Sequence, residues 1–175
     1  NEGGFLAAVQ KGLIQEKVAS AAVRRKSEVA SRREILLGSN QYPNFREDKA
    51  PVHDSNRLFP DVKLSGGEEV TRIMPSRGAE EFEKLRMAVG KAAHRPIAFM
   101  LTTGNIAMRR ARAQFSSNFF ACAGYEVIDN NGFNTVSEGI DAAINAGADI
   151  IVVCSSDEEY ADAAARAFEL TAGRA

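Results

Sequence analysis

The run Ile97-Ala98-Phe99-Met100-Leu101 is wholly apolar, and the polar turn Thr102-Thr103-Gly104-Asn105 follows it directly. A short apolar run that ends at turn residues is typical of a strand covered on both faces, as strands of parallel sheets are. The same pattern recurs at residues 125–128 and 148–154. The sequence therefore predicts three buried parallel strands.

Amphipathic segments that predict helices, residues 106–123, 135–146 and 158–170, alternate with these strands. Gly124, Gly147 and Gly173 stand at or just past the ends of the helices, where a left-handed residue would cap them. The order β-α-β-α-β-α predicts an α/β fold with a flavodoxin-like parallel sheet and flanking helices. Because doubly wound sheets usually carry about five or six strands, we expect this domain to be incomplete, with truncation at the C-terminus.

The chain before the first strand has a less regular pattern. Residues 5–26 show helical spacing with a break at Gly12, and residues 80–92 show it again. The short segment Arg33-Glu34-Ile35-Leu36-Leu37-Gly38 predicts one buried strand and its exit turn. Residues 41–78, with scattered prolines and the pair Gly66-Gly67, predict a linker. A lone helix and strand cannot make a domain, so we expect them to be the end of a larger fold.

The composition excludes several classes of protein. The 175 residues carry 22 Lys and Arg against 23 Asp and Glu, a net charge of -1 that gives no general attraction to nucleic acid or an anionic membrane. The apolar runs are far shorter than the roughly 20 residues that cross a bilayer. Cys122 and Cys154 lie in apolar segments without metal-ligand spacing. We therefore expect buried, reduced thiols in a cytoplasmic protein.

The carboxyl ends of the strands are the predicted place for function. In an open parallel sheet, ligands bind where the strand order reverses, which in a flavodoxin-like order lies between the first and third strands. Residues 102–105 would there face Ser155-Ser156-Asp157. Neither Gly-x-Gly-x-x-Gly nor Gly-Lys-Ser/Thr follows the first strand, which argues against a nicotinamide or ATP site.

Three phrases of the sequence resemble a known family. They are Thr103-Gly104-Asn105-Ile106-Ala107-Met108-Arg109-Arg110-Ala111-Arg112, Asn118-Phe119-Phe120-Ala121-Cys122-Ala123-Gly124-Tyr125 and Asp141-Ala142-Ala143-Ile144-Asn145-Ala146-Gly147-Ala148-Asp149. Residues 97–170 resemble the cobalamin-domain region of the methylmalonyl-CoA mutase family, and in particular the small subunit of its heterodimeric bacterial members. The phrase Leu37-Gly38-Ser39-Asn40-Gln41-Tyr42-Pro43 is similar to the end of that family's acyl-CoA barrel.

The resemblance implies a domain organisation. Residues 1–43 would be a helix-strand remnant of the acyl-CoA (TIM-barrel) domain, residues 44–78 a linker, and residues 79–175 a cobalamin-binding-like α/β domain.

It also implies a function. The family's enzyme is an isomerase of propionate metabolism that interconverts methylmalonyl-CoA and succinyl-CoA with adenosylcobalamin. The chain would be a non-catalytic, structural partner in a heterodimer whose large subunit holds the cofactor, with no cofactor or metal of its own.

The expectation of no cofactor depends on a motif that is absent. Cobalamin-binding members of the family carry Asp-x-His-x-x-Gly after the first strand, and the His ligates cobalt while the Asp orients it. Counted back from residues 124–127, Ala107, Arg109 and Arg112 stand at those places. A guanidinium stays protonated and offers no lone pair to a metal. His53 in the linker and His94 before the first strand are poorly placed to replace the missing imidazole.

Other residues near the crevice allow two interpretations each. By resemblance, Ser155 and Ser156 line a cleft for the cobalamin tail, but serines at strand ends are also common helix N-caps. A cluster of arginines lies near a helix N-terminus, where the helix dipole disfavours cations, so these residues either pair with nearby acids or solvent, or fill the crevice, or contact a partner subunit. The arginines are Arg109, Arg110 and Arg112, and the acids are Asp157, Glu158 and Glu159.

The spacing of Phe115, Phe119 and Cys122 predicts the helix face that packs on the sheet.

Two further functions stay open from the sequence. One is a mutase domain that binds cobalamin itself without the usual ligand. The other is a generic α/β module for a small ligand, which the crevice alone favours and for which the fold gives little support.

Overall fold

The computed structural model describes residues 3–46 and 70–172 of the chain. These residues fall into two compact units, one of residues 3–35 with 70–80 and the other of residues 36–46 with 81–172. Most of the predicted linker, His53 and the predicted cap at Gly173 lie outside the described residues.

The first unit is built around two helices, α1 (Phe5–Gln10) and α2 (Leu13–Ala30). Gly12 separates them with a left-handed φ of 75°, which confirms the break predicted there. Arg25 of α2 and Glu34, which follows the helix, form an exposed ion pair of 2.6 Å, and hydrogen bonds from the Arg25 guanidinium lower the pKa of Glu34. Residues 70–77 form neither helix nor strand.

The second unit contains the predicted alternation of strands and helices. Its helix α3 (Glu80–Lys91) precedes a parallel sheet, and the elements that follow agree with the predicted ranges within about two residues. They are β1 (Ile97–Thr102), α4 (Ile106–Cys122), β2 (Glu126–Ile128), α5 (Val136–Asn145), β3 (Ile150–Cys154) and α6 (Tyr160–Thr171).

The sheet has the strand order β2-β1-β3, and both pairings are parallel. Ile97 pairs with Glu126 on one side of β1, while Thr102 pairs with Cys154 on the other. The chain therefore crosses from β1 outward to β2 and back over β1 to β3, so the strand order reverses at β1. This arrangement confirms the flavodoxin-like fold and puts the crevice between β1 and β3.

Strand β1 is the centre of the core because its side chains are buried on both faces. Phe99 and Leu101 pack with Ile140 and Ala143 of α5, whereas Ala98 and Met100 pack with residues of α4 and β3 on the other face. Alternate side chains of a strand point to opposite faces, so one apolar run supplies both halves of the core. The predicted burial is thus confirmed for β1, while β2 and β3 are only partly buried edge strands.

Two of the predicted glycine caps are confirmed. Gly124 and Gly147 follow α4 and α5 with φ of 88° and 66°. After α5, the N–H of Gly147 donates to the carbonyl of Ile144 and the N–H of Ala148 to that of Ala143, each at 3.0 Å. This pair of bonds is the Schellman motif, which satisfies the last carbonyls of a helix.

The buried strand predicted at Arg33–Gly38 is wrong. Ile35 and Leu37 are 52% and 77% exposed, and the only ladder contact there is an isolated bridge from Leu37 to Gln41. The physical reason is a tight turn: the N–H of Leu36 donates to Oδ1 of the buried Asn40 at 2.8 Å, and Gly38 donates to the Gln41 carbonyl at 2.8 Å. The backbone satisfies its hydrogen bonds within this turn and not against a neighbouring strand. The assignment of residues 1–43 to a TIM barrel stays a prediction.

The face predicted for α4 is also partly wrong. Cys122 is buried as expected, but Phe115 and Phe119 are 63% and 54% exposed and stack on each other with ring centroids 6.5 Å apart. The buried positions of the helix carry mainly small side chains, which let its axis approach the sheet closely. They are Ala113, Ser117, Ala121 and Cys122.

No helix within the described ranges is long and apolar enough to cross a membrane.

We predict that Gly147→Ala lowers the free energy of unfolding by about 1 kcal/mol, since a Cβ disfavours the left-handed backbone. A Cβ at this position would meet no atom within 4 Å, so the loss measures backbone strain and not a clash. Urea denaturation of the two proteins tests this. Gly147→Asn is the control and should lose less, because Asn adopts this conformation more readily. Equal stability of the Ala variant and the unchanged chain would contradict the assignment of Gly147 as a left-handed cap of α5.

We also predict that Cys122 and Cys154 are inert to a thiol reagent at pH 8 in the folded chain. Both are buried, and burial raises the pKa of Cys154 to about 11, so almost none of that thiol is the reactive thiolate. Both should react rapidly in denaturant. Fast reaction of either one under native conditions would show that the thiol becomes accessible to solvent in the folded chain and would contradict the prediction.

Candidate functional site

The loops after β1 and β3 meet at the carboxyl edge of the sheet, as the sequence predicted. The N–H of Thr103 donates to the Cys154 carbonyl at 3.1 Å. In return, Oγ of Ser155, whose side chain is fully buried, lies 3.1 Å from the Thr103 carbonyl oxygen. These contacts extend the β1–β3 pairing by one step past the strands, so residues 102–105 and 155–157 form the two walls of the crevice.

The carboxylate of Glu159, the residue directly before α6, lies between these walls. Oε2 of Glu159 accepts hydrogen bonds from the hydroxyls of Ser155 at 2.7 Å and Ser156 at 2.9 Å. The same atom accepts from the backbone N–H groups of Ser156 and Asn105, each at 3.3 Å. These bonds, of which the one from Ser155 has the largest effect, lower the pKa of Glu159 to about 2.

The Glu159 carboxylate can approach the β1–α4 loop because residue 104 is a glycine. The residue has a left-handed φ of 74°, and a Cβ built on it would lie 1.9 Å from Oε2 of Glu159. The carboxylate therefore packs directly on the Gly104 backbone, a contact that only glycine allows.

The interpretation of Ser155 and Ser156 as helix caps is confirmed in part, for Ser156. The N–H of Tyr160, the first residue of α6, donates to the Ser156 carbonyl, and Oε2 of Glu159 accepts from the Ser156 N–H, as in a Ser-x-x-Glu capping box. The hydroxyls of both serines donate to the Glu159 carboxylate. Their contact with a cobalamin tail stays a prediction.

Arg109 connects two loops across the first turn of α4. Its Nη1 donates to the Gly104 carbonyl at 3.2 Å and its Nη2 to the Asn131 carbonyl at 2.8 Å. The guanidinium packs on Gly132, where a Cβ would lie 2.4 Å from Cζ. This position of the sequence therefore holds a planar cation that joins the β1–α4 loop to the β2–α5 loop.

Arg112 of α4 reaches across the crevice to residues at the start of α6. Its Nη2 lies 2.6 Å from Oδ1 of Asp157, and its Cζ lies 5.3 Å from the centroid of the Tyr160 ring. The predicted pairing with an acid is confirmed for this arginine, and the ring contact adds a cation–π interaction. Arg110 points elsewhere and lines a separate groove of ≈ 500 Å³ with Tyr42 and Phe45.

Sequence reasoning missed Asn130, which holds the third loop of the crevice. Its amide Nδ2 donates to the Met100 carbonyl, while its Oδ1 accepts from the Thr102 hydroxyl and from the Gly132 N–H. The N–H of Phe133 then donates to the Thr102 carbonyl at 2.9 Å. The segment 129–132, Asp-Asn-Asn-Gly, is a turn sequence directly after β2 and was the available sign of this loop.

His94 does not contribute to the crevice. His94 lies at the opposite edge of the sheet, as predicted, where its Nε2 is 3.0 Å from Oδ1 of Asp149. Asp149 also accepts from the N–H of Ile97, the first residue of β1, and this bond is the main reason that its pKa is lowered. His53 lies outside the described residues.

The residues of the crevice do not fit a corrinoid whose cobalt needs an imidazole. The position of the missing His holds Arg109, whose guanidinium is occupied by two backbone carbonyls. The side chains of Arg112 and Glu159 take up the neighbouring space. No step of a cobalamin reaction can be derived from these residues.

The strand order and the crevice between β1 and β3 define the class of the second unit, a flavodoxin-like α/β domain. The sequence profile described as methylmalonyl-CoA mutase matches residues 1–118. The chain therefore belongs to the methylmalonyl-CoA mutase family.

The chain is similar to proteins named as small subunits of that enzyme. It is 51% identical over 180 residues to the methylmalonyl-CoA mutase small subunit of Porphyromonas gingivalis, covering 99% of this chain and 28% of the relative. It is 30% identical over 168 residues to that of Streptomyces virginiae, covering 92% and 25%. A probable small subunit of Mycobacterium tuberculosis is 27% identical over 160 residues, covering 91% and 24%. The chain thus spans about a quarter of the length of these relatives.

We predict that Glu159 makes stability depend on acid pH. Its pKa falls from 4.5 to about 2 on folding, so its carboxylate stabilises the fold fully above pH 4.5 and loses this effect as the pH falls towards 2. The difference in unfolding free energy between the unchanged chain and Glu159→Gln should therefore shrink from pH 5 to pH 2. Denaturant titrations across this range measure it, and a difference that stays constant with pH would contradict the prediction.

Proposed function

We propose that this chain is part of the small subunit of an adenosylcobalamin-dependent methylmalonyl-CoA mutase and serves there as a structural partner of the large subunit. The holoenzyme interconverts methylmalonyl-CoA and succinyl-CoA, a step of propionate metabolism. The large subunit of the heterodimer holds the cofactor and the substrate, and the present chain is not itself catalytic. Membership of the family and the names of the relatives support this proposal.

The observation that carries the supporting role is the guanidinium of Arg109 at the place of the cobalt ligand. An always-protonated group cannot donate a lone pair to a metal. Arg109 also makes two hydrogen bonds that join the loops around the crevice, so the residue has a structural use in its place. The absence of an imidazole ligand and the presence of a guanidinium that joins two loops together favour a domain whose role is structural, in the assembly of the two subunits.

The domain assignment belongs to the same proposal. Residues 1–43 would close the acyl-CoA barrel, residues 44–78 would link it to the second domain, and residues 79–175 would form the cobalamin-binding-like domain. The protein would work in the cytoplasm, in agreement with buried thiols that form no disulfide. The net charge of -1 favours neither nucleic acid nor membrane as a partner.

The test is co-expression of the subunit that contains this chain with a methylmalonyl-CoA mutase large subunit carrying an affinity tag. We predict that the two subunits purify together in equal amounts and that a cobalamin assay after separation finds the cofactor with the large subunit. The visible spectrum of cobalamin should not change when the small subunit is added alone.

Each alternative function gives a different result in this experiment. Cobalamin retained by the small subunit alone would indicate a cobalamin-binding domain in its own right, with Ser155 and Ser156 as candidate contacts for the cofactor tail. Failure of the two subunits to associate would overturn the structural role and favour a generic ligand-binding module.

A further inference from the structure

We infer that Glu159 is the residue that excludes ligands from the crevice, because its carboxylate occupies the place that the acidic group of a ligand would take. This inference rests on the proposed function, since it explains how a domain of this family comes to be closed to cofactor. Glu159 would thus determine ligand specificity without taking part in a reaction.

The first step of the argument is the convergence of hydrogen-bond donors. Two hydroxyls and two backbone N–H groups meet at the single atom Oε2 of Glu159, and they come from both walls of the crevice. Asn105 lies 54 positions before Glu159 in the chain, so the bond between them joins separate loops. A set of donors gathered in this way at the end of a parallel sheet suits a carboxylate or phosphate oxygen.

The second step is that helix capping accounts for only part of the contacts of the Glu159 side chain. The bond from the Ser156 N–H to Oε2 is the one that the Glu of a Ser-x-x-Glu capping box accepts, and the N–H of Tyr160 donates to the Ser156 carbonyl at 3.2 Å. The bonds from the Ser155 hydroxyl and from the Asn105 N–H lie outside this motif and join the carboxylate to both walls of the crevice. A carboxylate that served only the helix dipole would gain as much from pointing to solvent near the first turn, as Asp162 can.

The third step is steric. The carboxylate lies against Gly104, with its carbon and both oxygens within 2.4 Å of the place of a Cβ. A ligand group that approached the backbone of this loop would have to displace the whole carboxylate. The occupant is also tethered to the chain, so it competes at a high effective concentration with any free anion.

Removal of the carboxylate should therefore leave a vacant place of the right size for a small carboxylate. We predict that Glu159→Ala unfolds at a lower temperature than the unchanged chain and that 100 mM acetate, compared with sodium chloride at equal ionic strength, raises its melting temperature by about 2 °C or more. The unchanged chain should shift by less than about 0.5 °C. The assay is thermal unfolding followed by circular dichroism.

Asp162→Ala is the matched control. Asp162 lies in the first turn of the same helix and is exposed, so this variant removes one negative charge without opening the crevice. It should show no response to acetate. A response to acetate in both variants would mean general anion binding, and no response in Glu159→Ala would mean that the carboxylate does not fill a ligand's place. Either result would overturn the inference.

A second variant keeps the test decisive if Glu159→Ala does not fold. Glu159→Gln fills the same space with a neutral group, so we expect no response to acetate but weaker hydrogen bonds from Asn105 and Ser156. The amide hydrogens of these two residues should exchange about tenfold faster than in the unchanged chain, since bonds to a charged acceptor are the stronger ones. Equal exchange rates would contradict the inference. All of these measurements use the small subunit alone, so their failure leaves the result of the co-purification unaffected.

Discussion

The carboxyl edge of the sheet concentrates hydrogen-bond donors that need an acceptor, and the rest of the crevice is arranged around the carboxylate that satisfies them. The pairing of β1 with β3 brings the N–H of Asn105 and the hydroxyls of Ser155 and Ser156 to one point. Ser155 and Ser156 are buried, and a buried donor left without an acceptor costs about 1–3 kcal/mol. In folds of this class such donors often face a bound ligand, whereas here Glu159 supplies the acceptor from within the chain.

The arginines next to this carboxylate have a related role. A cation near the N-terminus of a helix is unfavourable for the helix dipole, and the structure shows how α4 accommodates Arg109 in its first turn and Arg112 in its second. The side chain of Asn105 accepts from the N–H groups of Ala107 and Met108, which caps the helix. Arg109 then donates to backbone carbonyls and Arg112 pairs with Asp157, so both guanidinium groups have acceptors outside the helix.

The sequence predicted the regular elements well and the exposure of individual faces less well. The alternation of strands and helices depends on local periodicity and on glycine caps such as Gly124 and Gly147, and the structure confirms it. The segment Arg33–Gly38 has the composition of a strand, but a strand needs a neighbour, and the turn closed by Asn40 satisfies its backbone instead. Phe115 and Phe119 have the spacing of one helix face, but they lie on the exposed side of α4. Periodicity shows which residues share a face and does not show which face packs on the sheet.

The sequence likewise predicted some features of the candidate site and not others. The amino-acid sequence by itself determined that the chain has a parallel α/β domain, that its crevice lies after β1 and β3, and that an arginine stands where the family's cobalt ligand would be, because these properties depend on residue types and local spacing. Only the tertiary structure decided that the Glu159 carboxylate lies between the walls of that crevice, that Arg109 joins the loop after β1 to the loop after β2, and that Asn130 holds the latter loop. A hydrogen bond between residues as far apart as Asn105 and Glu159 forms only when packing on β1 brings the two loops together, and no local pattern contains that distance.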